Sequence, residues 1–393
     1  MSIPSWPRFG ERRRHWAPEP GLYPRPQAQA LSGECVEAIA PFIADRPVEL
    51  SSTVGSSVAE ATASLVRIDA ELTGRRHTPL DTVLARSEAS ASSQIEYVEA
   101  NARDLAAAAA GLDSGAHARE TLRNIKALVQ AVEGPWPPTP GSIAALQATL
   151  MAGNPIDVGF RTRAVWIGAR GSTPPTADYV APHHGEINAL VDDWVAFVER
   201  VDIPALAHVA IAHAHFEAIH PFEDGNGRTG RALVHSMLKA SGAISAPHVP
   251  ISAGLLSEKE LYIDALIAYR RGYVEPICQV FATATVRAVA LTRGLVERLD
   301  EISQTWRERL DARADAGVWR LIEAFIEQPV MDRRSAQEFA GLSQAATFRA
   351  LNEAEHAGIL AVVGSAMRSR VWEAPEVLDV LQQFSSASKR GYW

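Results

Sequence analysis

His220-Pro221-Phe222-Glu223-Asp224-Gly225-Asn226-Gly227-Arg228-Thr229-Gly230-Arg231 gathers a proton acceptor, a carboxylate, a Gly-Asn-Gly turn and two arginines into one short run. Small residues let a backbone bring several N–H groups onto one anion, and a helix starting at such a turn adds the positive end of its dipole. Arg228 and Arg231 are three apart, so they share one helix face and can grip a polyphosphate bidentately. Asp224 offers hard oxygen ligands of the kind Mg²⁺ takes beside nucleotide phosphates. His220 can remove a proton near neutral pH. Singly, each feature has a bland explanation: a turn, a solvated arginine pair, a histidine before proline. Their order within one segment points to phosphoryl-type transfer.

Working outward, the 3.6-residue period predicts helices over 186–201 and 203–218 before this segment, 227–240 within it, and 257–271 and 275–301 after it. The run 163–168, the turn 171–175 and Tyr179-Val180 read as a small β-hairpin inside a helical domain. Pro135 to Pro140 is a breaker followed by a short helix over 142–151. Upstream, 32–111 reads mainly as helices. In 56–72 the apolar residues Val58, Ala61, Leu65, Ile68 and Leu72 fall three and four apart, and a second helix runs from Ser92 into the alanines before Gly111. Residues 1–30 carry Pro4, Pro7, Pro18, Pro20, Pro24 and Pro26, the pattern of an extended, poorly anchored lead-in.

The chain has 393 residues, 47% hydrophobic and 21% charged, enough for two or three packed units. A formal net charge of −8 argues against a surface built for nucleic acid. Two cysteines, Cys35 and Cys278, make no disulfide framework and suit a reducing compartment. No apolar run matches a membrane span, and no apolar stretch follows Arg12-Arg13-Arg14 as a secretory signal requires, so a cytoplasmic location is expected. No internal repeat of fixed period is present.

The segment 220–231 resembles the Fic-family signature His-x-Phe-x-[Asp/Glu]-Gly-Asn-Gly-Arg-x-x-Arg at every fixed position, and Ala212 to Ile219 is similar to that family's lead-in helix. The resemblance implies a mostly α fold: a Fic-type helical core with a small β-hairpin flap over the active site. It implies transfer of AMP from ATP to a Ser, Thr or Tyr hydroxyl of a protein, the enzyme itself among the candidates, with Mg²⁺ as companion ion. On that basis His220 is the base, Phe222 a core anchor and Asp224 the metal ligand. Gly225, Asn226 and Gly227 hold the α-phosphate, and Arg228 and Arg231 the β- and γ-phosphates. Glu223 occupies a free position and competes with Asp224 for metal; His213 and His215 are read as packed or solvent-facing residues rather than ligands, since they do not share one helix face with His220. Gly159-Phe160-Arg161 and Val165 to Gly168 resemble the start of the flap, which makes Tyr179 and Val180 candidate anchors for a target segment added as a strand. Tyr262 is the candidate adenosine contact; Ile277 stands where the family commonly has an aromatic residue.

Ser92-Ser93-Gln94-Ile95-Glu96 resembles the family's inhibitory motif [Ser/Thr]-x-x-x-Glu-[Gly/Asn], whose glutamate pairs with the second signature arginine, here Arg231. Tyr97 departs from the Gly or Asn expected. Beyond a charged helical linker at 303–316, the segment 317–393 reads as a winged helix-turn-helix: helices over 318–327, 335–340 and 343–357, then strands at 360–363 and 370–372 about Gly364-Ser365. It holds eight Lys or Arg and nine Asp or Glu, net −1, so contact with protein or homodimerisation suits it at least as well as DNA. The expected divisions are a lead-in at 1–30, a helical regulatory region at 31–133, the catalytic core at 134–302, the linker and the winged helix. Two rivals remain at this level: the same fold using another phosphate donor or removing AMP, and a transcription regulator in which the core senses a ligand.

Overall fold

The computed structural model describes residues 6–74, 80–156, 158–246, 249–313, 316–363 and 370–393. Sixteen α-helices and seven short strands form among them. They group into two compact units, each assembled from segments far apart in sequence.

The first unit comprises Met1–Glu60, Gln130–Ser241 and Glu260–Ala282. At its centre is the helix Ala205–Ile219, buried on every face from Leu206 to Phe216. That explains a composition apolar all round, the mark of a core helix. Ile187–Val198 and Asn226–Ala240 pack against it, and Pro140–Met151 packs against both of those. Trp194, Phe197, Phe216 and Phe222 are fully buried there; each such side chain contributes about 1.5–3 kcal/mol by leaving water. The Trp194 indole N–H donates to the Ala212 carbonyl at 2.8 Å, so its one polar atom is satisfied.

A four-stranded sheet flanks these helices. Its strands are β1 (Gly10–Trp16), β2 (Gly33–Ile39), β3 (Trp166–Ile167) and β4 (Tyr179–Val180), in the order β1-β2-β4-β3. β1 and β2 are antiparallel, Gly10 opposite Ile39 and Trp16 opposite Gly33. The hairpin of β3 and β4 joins them through a parallel pairing of Val180 with Glu37.

This corrects the reading of the N-terminal residues. The lead-in is anchored: Trp6 and Phe9 are buried, and their N–H groups donate to the Gly272 and Arg270 carbonyls at 3.2 and 2.9 Å. The arginine run is a strand between Pro7 and Pro18, with Arg14 paired to Glu37 at 2.9 Å and Arg12 to Glu186 at 2.8 Å. Proline content on either side hid it, and 33–39, expected to be helical, is the strand beside it. Long-range pairing of this kind leaves no local sequence signal.

The second unit comprises Ala61–Val129, Gly242–Lys259 and Thr283–Trp393. Within it Asp81–Ile95, Ile251–Ser257 and Pro375–Arg390 pack together. Buried Glu88 accepts the Ser252 N–H at 2.9 Å and also the Ser252 hydroxyl, so a carboxylate sits at the N-terminus of Ile251–Ser257. The single helix expected from Ser92 to the alanine run is broken: Asp81–Ile95 stops, and Asn101 caps a new helix, Ala102–Ala109, by accepting the Asp104 N–H at 2.8 Å.

The C-terminal stretch runs helix Gly317–Glu327, β5 (Val330–Asp332), helices Arg333–Ala340 and Gln344–His356, β6 (Ala361–Val363) and β7 (Val371–Glu373). The strands form an antiparallel sheet in the order β5-β7-β6. Gly341 takes φ 58° at the turn, and Ser343 caps the third helix as its position suggested. The turn at Gly364-Ser365 lies outside the described residues. Two features differ from expectation. The helix Glu275–Arg309 continues unbroken through the first half of the supposed linker, because buried Trp306 ties it to Glu376 at 2.7 Å. The helix Pro375–Arg390, not anticipated, follows β7. Among the described residues no helix is long and apolar enough to cross a membrane.

Candidate active site

His220 ends the helix Ala205–Ile219 and takes left-handed backbone angles, φ 50° and ψ 63°. For a residue with a side chain this conformation costs about 1–2 kcal/mol, so the surroundings must hold it. Its N–H stays on the helix ladder, donating to the Phe216 carbonyl at 3.1 Å. Its Nδ1 lies 3.2 Å from the Glu217 carbonyl. A carbonyl only accepts, so in the neutral ring this contact places the proton on Nδ1.

The loop beyond His220 is held from inside. Phe222 is buried, stacked on Phe160 with ring centroids 5.4 Å apart, and in contact with Phe216. The Asn226 side chain accepts the Phe222 N–H at 2.9 Å and donates to the Phe222 carbonyl at 3.0 Å. Gln147, fully buried, donates to the Asp224 carbonyl at 3.2 Å and accepts the Gly159 N–H at 3.0 Å. Gly225 then turns with φ 83°, and a Cβ there would lie 2.9 Å from Leu150 Cδ2. Both the angle and the space demand glycine. The helix Asn226–Ala240 starts immediately after, so the N–H groups of its first turn lie outside the intrahelical ladder.

Arg228 and Arg231 are both buried on this helix. Asp224, whose side chain is 47% exposed, sits 3.5 Å from Arg228 through Oδ1 and accepts the Gly225 N–H at 2.6 Å. Glu223 forms an ion pair with Arg163, which leaves Asp224 as the better placed carboxylate for a cation. Among the described residues no three His, Cys, Asp or Glu gather as a metal cluster. That donor set suits Mg²⁺ arriving with a nucleotide, since this ion is commonly held by one or two carboxylates plus phosphate oxygens and water. Gly230 permits the close approach of the two central helices: a Cβ there would come within 3.2 Å of His213 and Phe216.

Of the two expectations for His213 and His215, packed or solvent-facing, the structure has the packed one: both are core residues. Each bonds a tyrosine hydroxyl, His213 with Tyr262 at 2.7 Å and His215 with Tyr269 at 3.0 Å. Burial pushes both down to about 3, His213 with help from the nearby Arg231 charge, so both are neutral at physiological pH.

Three sequence-derived assignments are revised. Tyr262 is 2% exposed with its hydroxyl on His213, which makes it a packing residue rather than a surface offered to adenosine. The Asn226 amide is used on both sides by Phe222. Tyr179 and Val180 form an interior strand: Val180 pairs with Glu37 on one side and Trp166 on the other, so no edge is left for strand addition there. The Tyr179 hydroxyl donates to the Ala218 carbonyl at 2.6 Å, and the Arg270 guanidinium lies 3.9 Å from its ring centre. The hairpin strand that ends the sheet is β3. Arg161 and Gln147 were missed as loop supports; their residue types alone carry no signal of that work.

In the second unit, Ser92 is buried and Glu96 exposed at the C-terminal end of Asp81–Ile95. The helix closes with Val98 N–H on the Ser93 carbonyl and Tyr97 N–H on the Gln94 carbonyl, both at 3.0 Å, while Tyr97 takes φ 61°. This is a Schellman-type end, which explains the motif's preference for Gly or Asn at that position. Tyr97 is 79% exposed. Lys259 Nζ lies 3.4 Å from its ring centre and donates to the Ile95 carbonyl at 2.6 Å.

A helical core, a hairpin beside it and a glycine turn after a histidine make up the fold around the candidate site. Residues 137–238 match the Fic/DOC family model. A protein adenylyltransferase Fic of Aedes aegypti is 29% identical over 142 residues, covering 35% of this chain and 26% of that protein. A probable protein adenylyltransferase of Aquifex aeolicus is 31% identical over 126 residues, 32% of this chain and 35% of that protein. The chain thus spans only about a quarter to a third of these curated relatives. A crystal structure of a Fic family protein from Desulfovibrio desulfuricans shares the fold, with a TM-score of 0.56, 23% identity, and coverage of 84% of this chain and 97% of that one.

Proposed function

We propose that this chain transfers AMP from ATP to a Ser, Thr or Tyr hydroxyl of a protein. The observation that carries the reading is the placement of His220. It ends its helix with Nδ1 3.2 Å from the Glu217 carbonyl, six residues before the start of a helix bearing two buried arginines. The hydroxyl oxygen attacks the α-phosphorus, the bond to the bridging oxygen breaks, and pyrophosphate leaves. His220 Nε2 takes the hydroxyl proton. The backbone of Gly225 to Gly227 receives the α-phosphate, and Arg228 and Arg231 receive the β- and γ-phosphates, positioned before the reaction so that developing charge is met by fixed dipoles. Asp224 would hold Mg²⁺, which neutralises phosphate charge when bound.

Two further assignments belong to this reading. Glu96, at the C-terminal cap of Asp81–Ile95, acts as a brake on transfer, with buried Ser92 four residues before it. The segment 317–393 is a winged helix that contacts protein, its net charge of −1 weighing against DNA. Two cysteines, both buried thiols, suit the cytoplasm. The likeness to adenylyltransferases, with ATP as their donor, weighs against another phosphate donor. The test is incubation of the chain with ATP labelled on the α-phosphate or, in parallel, on the γ-phosphate. Protein label from the first alone supports AMP transfer; label from the second, or from neither, overturns it.

A further inference from the structure

We propose that Arg161 is the positioning residue that fixes the His220 base, and that through it the β3–β4 hairpin and the base loop move as one body. The kinetic half of this inference rests on the transfer reading above; the mechanical half does not.

Arg161 is 3% exposed and meets backbone carbonyls from two directions. Its Nε donates to the His220 carbonyl at 2.8 Å, and its own backbone N–H donates to the Pro221 carbonyl at 3.0 Å. One terminal nitrogen donates to the Pro182 carbonyl at 2.5 Å and to that of Ile219 at 3.4 Å. The other donates to the Arg163 carbonyl at 3.1 Å. Ile219, His220 and Pro221 are the base loop. Arg163 and Pro182 flank the two strands of the hairpin. One planar guanidinium therefore spans both.

The chemistry fits the place. The carbonyls of a helix's last turn have no partner within the helix and carry the negative end of its dipole. Here a cation satisfies those of Ile219 and His220, and the Tyr179 hydroxyl of β4 satisfies that of Ala218. The cap of the base-bearing helix is thus built from hairpin side chains. Glycine would adopt the left-handed angles of position 220 freely, but a base needs a side chain. The clamp on the carbonyl of the same residue is what holds the strained angle. Burial lowers Arg161 to about 10, so it keeps its charge at neutral pH. Lysine would keep the charge but, as a single nitrogen on a flexible stem, could not reach the same set of carbonyls in one plane.

The experiment uses the full chain with Arg161→Lys and Arg161→Gln. Amide hydrogen exchange, direct ATP binding and self-labelling are measured on each. Exchange should accelerate together in 219–222 and in the hairpin while the helix Ile187–Val198 keeps its protection. ATP affinity should stay within about threefold, and the labelling kcat should fall about 10²-fold, as expected for a base displaced by about an ångström. Lysine should fail to rescue. Unchanged exchange at 219–222 in both variants overturns the proposal, as does loosening of the loop without the hairpin. A loss confined to ATP affinity also overturns it. Should the wild type transfer no AMP, the functional reading falls, and the exchange pattern still decides the role of Arg161. If the glutamine variant fails to fold, the lysine variant gives the decision alone.

Discussion

Among the described residues two that are not glycine take left-handed backbone angles, and both end helices: His220 at φ 50° and Tyr97 at φ 61°. His220 is gripped by Arg161, while the loop after it is closed by Asn226 and Gln147 against a buried Phe222. Tyr97 stands 79% exposed, with Lys259 across its ring and on the Ile95 carbonyl. The same local strain is therefore imposed by a buried network in one unit and by a surface contact in the other. Strain that serves a side chain has to be over-determined, whereas strain at a helix end that glycine could occupy needs little support.

The largest effect expected from breaking this contrast is chemical. His220→Ala should lower AMP transfer by about 10²–10⁴-fold, the usual worth of a general base, with ATP binding retained. Labelling at the wild-type rate in a binding-competent variant would remove His220 from the reaction.

Acid should separate the two turns next. His213 and His215 stay neutral in the fold down to about 3, while in the unfolded chain they take protons near 6.5. Their contribution is thus complete above pH ~6.5 and is lost as pH falls towards 3, by about 1.4 kcal/mol per pH unit for each histidine. Between pH 6.5 and 5 the pair should cost about 3 kcal/mol. Urea midpoints across that range should show it, and His213→Gln with His215→Gln should flatten the slope. An unchanged slope in the double variant would assign the loss to other groups.

Asn226→Ala strips partners from two buried backbone groups of Phe222, at about 1–3 kcal/mol for each. A shift in urea midpoint worth less than about 1 kcal/mol would mean the loop does not depend on this clamp.

In the other unit the expected effects are smaller. If Glu96 is a brake, Glu96→Gln and Glu96→Gly should raise self-labelling about fivefold, the return on roughly 1 kcal/mol of lost restraint. Adding Arg231→Ala should cancel the gain. Equal rates in wild type and both Glu96 variants would eliminate the brake. Smallest of all, Tyr97→Gly should stabilise the chain by up to about 1 kcal/mol, the relief of left-handed strain less a lost cation–π contact. Thermal melting checks the sign, and a lowered Tm would show that Lys259 holds Tyr97 more firmly than its exposure suggests.

Much of the central architecture was legible beforehand because it is periodic. The helices around the signature, the hairpin and the order of elements in 317–363 follow from spacing and turn residues. The failures share one cause. The strands Gly10–Trp16 and Gly33–Ile39 exist because they pair with each other and with β4, and the helix Glu275–Arg309 outlasts its polar stretch because Trp306 is buried against a distant Glu376. Neither fact has a local trace.

The candidate site divides in the same way. The sequence by itself determined the chemistry at hand: a histidine, a carboxylate, a Gly-Asn-Gly turn and two arginines on one helix face, since residue type and short spacing suffice for those. Only the tertiary structure decided which groups are available and which are spent. It buried Tyr262 against His213, turned the Asn226 amide onto Phe222, closed both edges of β4, and brought Arg161 onto the carbonyl of His220 from 59 residues away. Hydrogen bonds across such separations depend on how helices and strands pack, and packing is a property of the whole fold that no short window of sequence contains.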